Sequence, residues 1–186
     1  MSIRIFPGSE LHLVPELVDQ IKIGHAMTFA DRGKAVLVEL PKHMVPIGAS
    51  SILQNILYMG ITPVIAHPER NTALRRDSKV LEQWISWGCK VQLTAQSCAG
   101  DFGSEIEKVC KAWCKRGWVH IIASDAHRPS GRSPYMKAGI NRVTKWIGRE
   151  AATGAVLLNP QHLLNGEPLE NISVSKSRMR IGWRWL

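Results

Sequence analysis

Residues 64–71 read VIAHPERN, a run of small apolar side chains that stops at a histidine and passes at once into proline, glutamate, arginine and asparagine. A strand covered on both faces stays apolar until it reaches water. The break at His67 therefore marks a strand tip, the place where polar chemistry meets a buried sheet.

Four other stretches end in the same way: IRIFPGSE, AVLVEL, KVQLTAQS and VHIIASDAH. Taking Glu10, Glu39, His67, Thr94 and Asp125 as the first polar residue of each end, the steps are 29, 28, 27 and 31 residues. That is room for one strand, one helix and two loops. The segments between carry apolar residues at helical spacing: Leu17, Val18 and Ile21; Ile52, Leu53, Ile56 and Leu57; Val80, Leu81, Trp84 and Ile85; Ile106, Val109, Cys110 and Trp113; Met136, Ile140, Val143 and Ile147. Gly60, Gly88, Gly117 and Gly148 follow these segments, where helix C-caps belong.

The chain is thus predicted to be α/β, with five parallel strands joined by right-handed crossovers in an open doubly wound sheet or a (β/α) barrel. No Gly-x-Gly-x-x-Gly or Gly-x-x-x-x-Gly-Lys fingerprint occurs, so neither common nucleotide-binding loop is supported. Polar residues recur instead at the C-terminal end of strand after strand, the rim on which a barrel builds its active site.

Composition narrows the class. At 186 residues and 45% hydrophobic content the chain suits one globular domain, no apolar run is long enough for a membrane span, and MSIRIFPGSE lacks the pattern of a signal peptide, so a cytoplasmic protein is expected. The four cysteines, Cys89, Cys98, Cys110 and Cys114, form no Cys-x-x-Cys pair and read as buried free thiols. The net charge is +9, but Lys176, Arg178, Arg180 and Arg184 lie in the acid-free stretch NISVSKSRMRIGWRWL. Residues 1–170 therefore read as the domain and 171–186 as a basic tail, frayed or, through Trp183 and Trp185, in peripheral contact with an anionic membrane. The remaining positive charges are scattered and accompany no recognition motif, so no nucleic-acid partner is expected.

Glu10, Glu39, His67, Asp125 and His127 are residue types that hold divalent metals, and carboxylates mixed with imidazole suit Mn²⁺, Fe²⁺ or Zn²⁺ better than Ca²⁺. Asp125 and His127 are two apart, so on a strand they lean the same way. Each also fits a structural role: Glu10 or Asp125 as a helix cap, His67 as a core-edge histidine. Their recurrence in phase with the period favours a metal site. His12, His25, His43, His120 and His162 fall out of phase and read as ordinary. Arg70 follows His67 by three residues, and Arg132 follows Asp125 by seven in RPSGRSP. Guanidinium groups beside metals match phosphate oxygens, which points to phosphate ester cleavage, with metals acidifying a water and arginines neutralising charge.

FPGSE, VLVELP, TPVIAHPERN, SCAGDFG and HIIASDAH, in this order between about residues 5 and 168, resemble the bacterial protein-tyrosine phosphatases of capsular and exopolysaccharide operons, in the polymerase-and-histidinol-phosphatase (PHP) superfamily. The resemblance implies a (β/α) barrel with a metal cluster at its C-terminal rim. It also implies phosphomonoester hydrolysis by metal-bound hydroxide, and Mn²⁺ as the ion, with Fe²⁺, Co²⁺ and Zn²⁺ as alternatives. Glu10, Glu39, His67, Asp125 and His127 fall on family metal ligands, and Arg70 and Arg132 on the catalytic, phosphate-binding arginines. The implied partner is the phosphotyrosine tail of a bacterial tyrosine kinase controlling polysaccharide export. The family barrel has seven strands and opens with His-x-His, whereas this chain shows five strands and lacks that motif, so an incomplete (β/α) barrel of this type, with its metal site at the C-terminal rim, is expected. Fewer than the family's two or three ions are therefore expected. The alternatives are a truncated, non-catalytic protein that binds metal or phosphotyrosine, or another phosphoesterase of the superfamily such as histidinol phosphatase.

Overall fold

The structure, a computed structural model, describes residues 3–174. Five parallel strands form one sheet in the order β1 (Glu10–His12), β2 (Ala35–Glu39), β3 (Thr62–Ala66), β4 (Lys90–Thr94) and β5 (Ile121–Ala123). Every strand pairs with its neighbour in sequence, so each crossover moves the chain one place along the sheet. Among the described residues β1 and β5 are the two edges, and the sheet is not closed.

The crossovers contain α1 (Leu17–Lys22), α2 (Ala49–Tyr58), the short α3 (Thr72–Arg76) with α4 (Lys79–Trp87), and the short α5 (Ala95–Ala99) with α6 (Ser104–Lys115). After β5 come α7 (Lys137–Ile147), α8 (Arg149–Thr153), a wider π-type turn at Gly154–Leu158 and α9 (Asn159–Asn165). Gly88 has a φ of +115° and ends α4 in the left-handed region that glycine adopts at least cost.

Strand alternation sorts the core into two sides. Val36, Val38, Ile65, Val91, Leu93 and Ile122 pack with the helices in the larger cluster, centred on buried Trp84. Ala35, Val64 and Ile121 point the other way and are covered by Leu163 of α9 and by Leu169. The chain stays packed beyond residue 170: Asn159 Nδ2 donates to the carbonyls of His120 and Glu170, both at 2.9 Å, and Ile172 is buried in the larger cluster. Lys176, Arg178, Arg180, Trp183, Arg184 and Trp185, on which the membrane contact was expected, lie outside the described residues. No helix among the described residues is long and apolar enough to cross a membrane.

One boundary departs from the sequence reading. The first strand was expected over IRIFPGSE with Glu10 at its end, but β1 begins at Glu10 and residues 3–9 form no regular structure. Pro7 has no N–H for a ladder and Gly8 weakens a strand, so pairing starts only past them. His12, not Glu10, therefore stands at the β1 tip, opposite Glu39 in the register.

Candidate functional site

The C-terminal ends of the strands converge, and three side chains meet there. Glu10 from β1, His67 from the β3 tip and Asp125 beyond β5 each offer a ligand atom, and these atoms lie within 4.8 Å of one another. The first and last strands thus contribute to one point, which requires the five-stranded sheet to curl. Glu10 Oε1 is 2.9 Å from His67 Nε2, and Glu39 Oε1 is 3.5 Å from the same nitrogen. The hydrogen bond from His67 holds the Glu10 carboxyl below its ordinary range despite partial burial. Burial pushes the His67 imidazole down, but the Glu10 hydrogen bond and nearby carboxylates outweigh it, and the net shift is upward.

The backbone is strained at two of these residues. His67 has φ +29° and Asp125 φ +49°, values that side-chain-bearing residues adopt at a cost of about 1–3 kcal/mol each. Both lie where a strand gives way to a turn, and the twist aims their side chains back toward the centre of the rim.

Asp125 is also the meeting point of the two arginines. Its Oδ2 accepts from Arg70 at 2.6 Å and from Arg132, while its side chain is only 7% exposed. Arg70 stacks its guanidinium over the Phe102 ring, 5.5 Å from the centroid. Arg132 rides on a loop tied down by Gln96, whose Nε2 donates to the Gly131 and Ser133 carbonyls, both at 3.2 Å. A cavity of about 180 Å³ bounded by Glu39, Lys42, His67, Arg70 and Asn71 opens on one side. A second, of about 520 Å³, is bounded by Phe102, His127, Arg128 and Arg132 on the other.

Of the residues picked out in the sequence, the structure brings Glu10, His67 and Asp125 into one group, with Glu39 against His67. Arg70 and Arg132 sit on Asp125. The exposed His127 ring turns back to its own strand end, with Nδ1 2.9 Å from the Asp125 carbonyl, and is not part of the group. His12 is closer to the site than its phase suggested: its Nδ1 is 3.5 Å from Glu39 Oε2. Its position two residues after Glu10, on the same strand face, was the available signal.

Glu69 was also missed. It lies inside the HPERN stretch yet is completely buried, and its Oε1 accepts from the Thr94 N–H at 3.0 Å. Burial raises its pKa, and the Ser97 hydroxyl and Thr94 N–H draw it partly back. The four cysteines are buried and free. Burial pushes Cys89 up to about 12, contact with Cys98 and then burial raise Cys110, and burial raises Cys114. These are poor nucleophiles and poor metal ligands.

Two carboxylates and one imidazole, facing inward at this separation, fit one divalent ion of the Mn²⁺, Fe²⁺ or Zn²⁺ kind. The paired guanidinium groups beside them fit a tetrahedral oxyanion.

Comparison with known proteins shows the family of the chain. The family described as "Capsular polysaccharide synthesis, CpsB/CapC" matches residues 1–165. CapC of Staphylococcus aureus is 31% identical over 136 residues, which cover 73% of this chain and 52% of that protein. The tyrosine-protein phosphatase YwqE of Bacillus subtilis is 28% identical over 148 residues, covering 80% and 58%. The tyrosine-protein phosphatase CpsB of Streptococcus pneumoniae is 29% identical over 162 residues, covering 84% and 66%. A crystal structure from work on YwqE and CpsB as metal-dependent tyrosine phosphatases superposes with a TM-score of 0.81 at 27% identity, over 90% of this chain and 69% of that one. The chain spans between about half and two thirds of the length of these relatives.

Proposed function

Since the chain belongs to the CpsB/CapC family of capsular polysaccharide synthesis, we propose that it is a metal-dependent protein-tyrosine phosphatase. The observation that supports this best is the joint arrangement at Asp125: a carboxylate that belongs to the ion-sized group with Glu10 and His67 and also anchors Arg70 and Arg132. Ion and phosphoryl group would thus share a boundary. In this reading Glu10, His67 and Asp125 hold the first ion, with Mn²⁺ the preferred occupant, and Glu39 and His127 border a second position.

A bound ion would supply Lewis acidity, lowering the pKa of a water and polarising the phosphoryl group. The protein's own residues supply the rest. Arg70 and Arg132 each commit one nitrogen to Asp125, which leaves other N–H groups to grip phosphoryl oxygens and to stabilise the charge that builds on them. His67, buried at the strand tip with its Nε2 beside Glu10, would offer that nitrogen to the ion once its proton is released. Phe102 keeps Arg70 from swinging into solvent. The substrate would be a phosphotyrosine segment of a bacterial tyrosine kinase in polysaccharide export, which places the activity on the cytoplasmic side.

The test is hydrolysis of a phosphotyrosine peptide with Mn²⁺, comparing the wild type with His67→Ala and Arg132→Ala. The expected outcome is turnover that falls at least about a hundred-fold in either variant. A folded wild type that binds the ion and the peptide without turnover would leave a non-catalytic phosphotyrosine-binding protein.

A further inference from the structure

The buried carboxyl of Glu69 makes no ion pair among the described residues and takes no place in the ion-sized group, yet the residue lies between His67 and Arg70 of the site. Its backbone and its side chain point to different tasks. The backbone forms part of a short 3-10 turn, Pro68–Arg70, that carries the chain from the β3 tip to Arg70, and its carbonyl accepts from Arg75 at 3.0 Å. The side chain crosses to the β4 tip, where Oε1 accepts from the Thr94 N–H at 3.0 Å. Thr94 is the residue from which α5 starts. Around this bond Glu69 Oε2, Thr94 Oγ1 and Ser97 Oγ are buried with no hydrogen bond of normal geometry, although the Ser97 hydroxyl faces the carboxyl.

What α5 carries gives the bond its consequence. Gln96 on α5 ties down the loop of Arg132, and the turn that closes α5 puts Phe102 under Arg70. The turn is tight, with the Gly100 and Asp101 N–H groups both donating to Gln96 O at 3.1 Å. A displacement of α5 is therefore passed to both arginines. The opposite side of α5 cannot absorb it, because Ala95 is in close contact with Gly139 of α7.

We infer that Glu69 is a positioning residue: its carboxyl fastens the head of α5 to the β3 tip, and through Phe102 and Gln96 it fixes where the Arg70 and Arg132 guanidinium groups stand. The inference rests on the phosphate-holding role proposed for those arginines, but the placement it asserts can be read without substrate. A carboxyl one methylene shorter cannot span the gap to Thr94, whereas an amide of the same length keeps an acceptor for the N–H and adds a donor for the unpaired hydroxyls.

The experiment is side-chain NMR of the whole protein, following the Arg70 Nε–H resonance, identified by its loss in Arg70→Lys. In the wild type the Phe102 ring should displace this resonance from the position of a solvated arginine. Glu69→Asp should return it toward that position, Glu69→Gln should leave it in place, and inorganic phosphate affinity should fall about ten-fold in Glu69→Asp but not in Glu69→Gln, the loss of one charge-assisted contact. Glu69→Met, of similar volume but with no acceptor, serves as the second disrupting variant should Glu69→Asp not fold. A folded Glu69→Asp or Glu69→Met protein with an unmoved Arg70 resonance overturns the assignment, as does loss of stability alone. Absence of phosphatase turnover with the resonance behaving as stated would remove the proposed activity and leave the positioning role intact.

Discussion

Glu10 Oε1 and His67 Nε2 stand 2.9 Å apart, and each changes the other's affinity for protons. Glu10 is held below its ordinary 4.5, so its share of stability is present above that value and is lost as pH falls through the lowered one. His67 is raised above its ordinary 6.5, so its share is complete below 6.5 and is lost as pH rises through the raised value. Without added metal the pair should therefore stabilise most between 4.5 and 6.5. Thermal unfolding of wild type against His67→Gln should show its largest gap between pH 4.5 and 6.5, closing as pH rises through the raised His67 value. A gap that widens with pH would contradict this assignment of protons.

Ion binding should follow the opposite trend, because a ligating imidazole must be deprotonated. At a hundred times its dissociation constant, Mn²⁺ should add about 2.7 kcal/mol and raise the melting temperature by about 5–10 °C, more so at higher pH. Glu10→Gln and His67→Ala should each abolish the rise. His127→Ala should retain most of it, since that ring lies outside the converging group. Calorimetry with a chelator-stripped protein measures all three.

Asp125→Asn should separate two effects that the wild type couples. Removing the carboxylate leaves Arg70 and Arg132 without their shared acceptor, at a cost of about 1.5–3 kcal/mol, or about 3–12 °C. Metal-free affinity for inorganic phosphate should nevertheless rise, because the carboxylate no longer competes for the two guanidinium groups. Asp125→Ala should cost roughly 1 kcal/mol more than Asp125→Asn, since alanine is less tolerant of the left-handed backbone at φ +49°.

Gly139→Ala should invert the usual helix ranking. Within an exposed helix the change stabilises by about 1 kcal/mol. Here the new methyl group would meet the Ala95 carbonyl at a separation no two such atoms tolerate, and α7 would have to lift from α5. A loss of about 1–3 kcal/mol or more is expected in denaturant unfolding, with weaker phosphate binding because α5 carries Phe102 and Gln96.

Much of this was legible in the sequence because parallel strands buried on both faces are continuous apolar runs. AVLVE and TPVIA became β2 and β3 within a residue or two of their expected limits, and the period placed Glu39 and His67 at neighbouring tips. The first strand was misplaced because IRIFPGSE has strand-like composition at its start, while the pairing depends on N–H groups that Pro7 lacks. His12 was lost with it. Glu69 could not be found, because an acidic residue between proline and arginine looks solvated in any one-dimensional pattern, and its burial arises only when β4 and α5 close over it. The sharing of Asp125 by two arginines was equally out of reach, as it depends on the fold of the loop containing Arg132.

The strictly consecutive strand order has a kinetic consequence. Each strand pairs with the one before it, so the ladder can grow outward from any single strand–helix–strand unit at modest loop-closure cost. Glu10 and Asp125, however, belong to opposite margins of the sheet and meet only when the last unit has docked. An ion held between them grips the finished molecule and not the half-assembled one. Mn²⁺ should therefore lengthen the lifetime of the native protein while leaving its rate of folding almost unchanged.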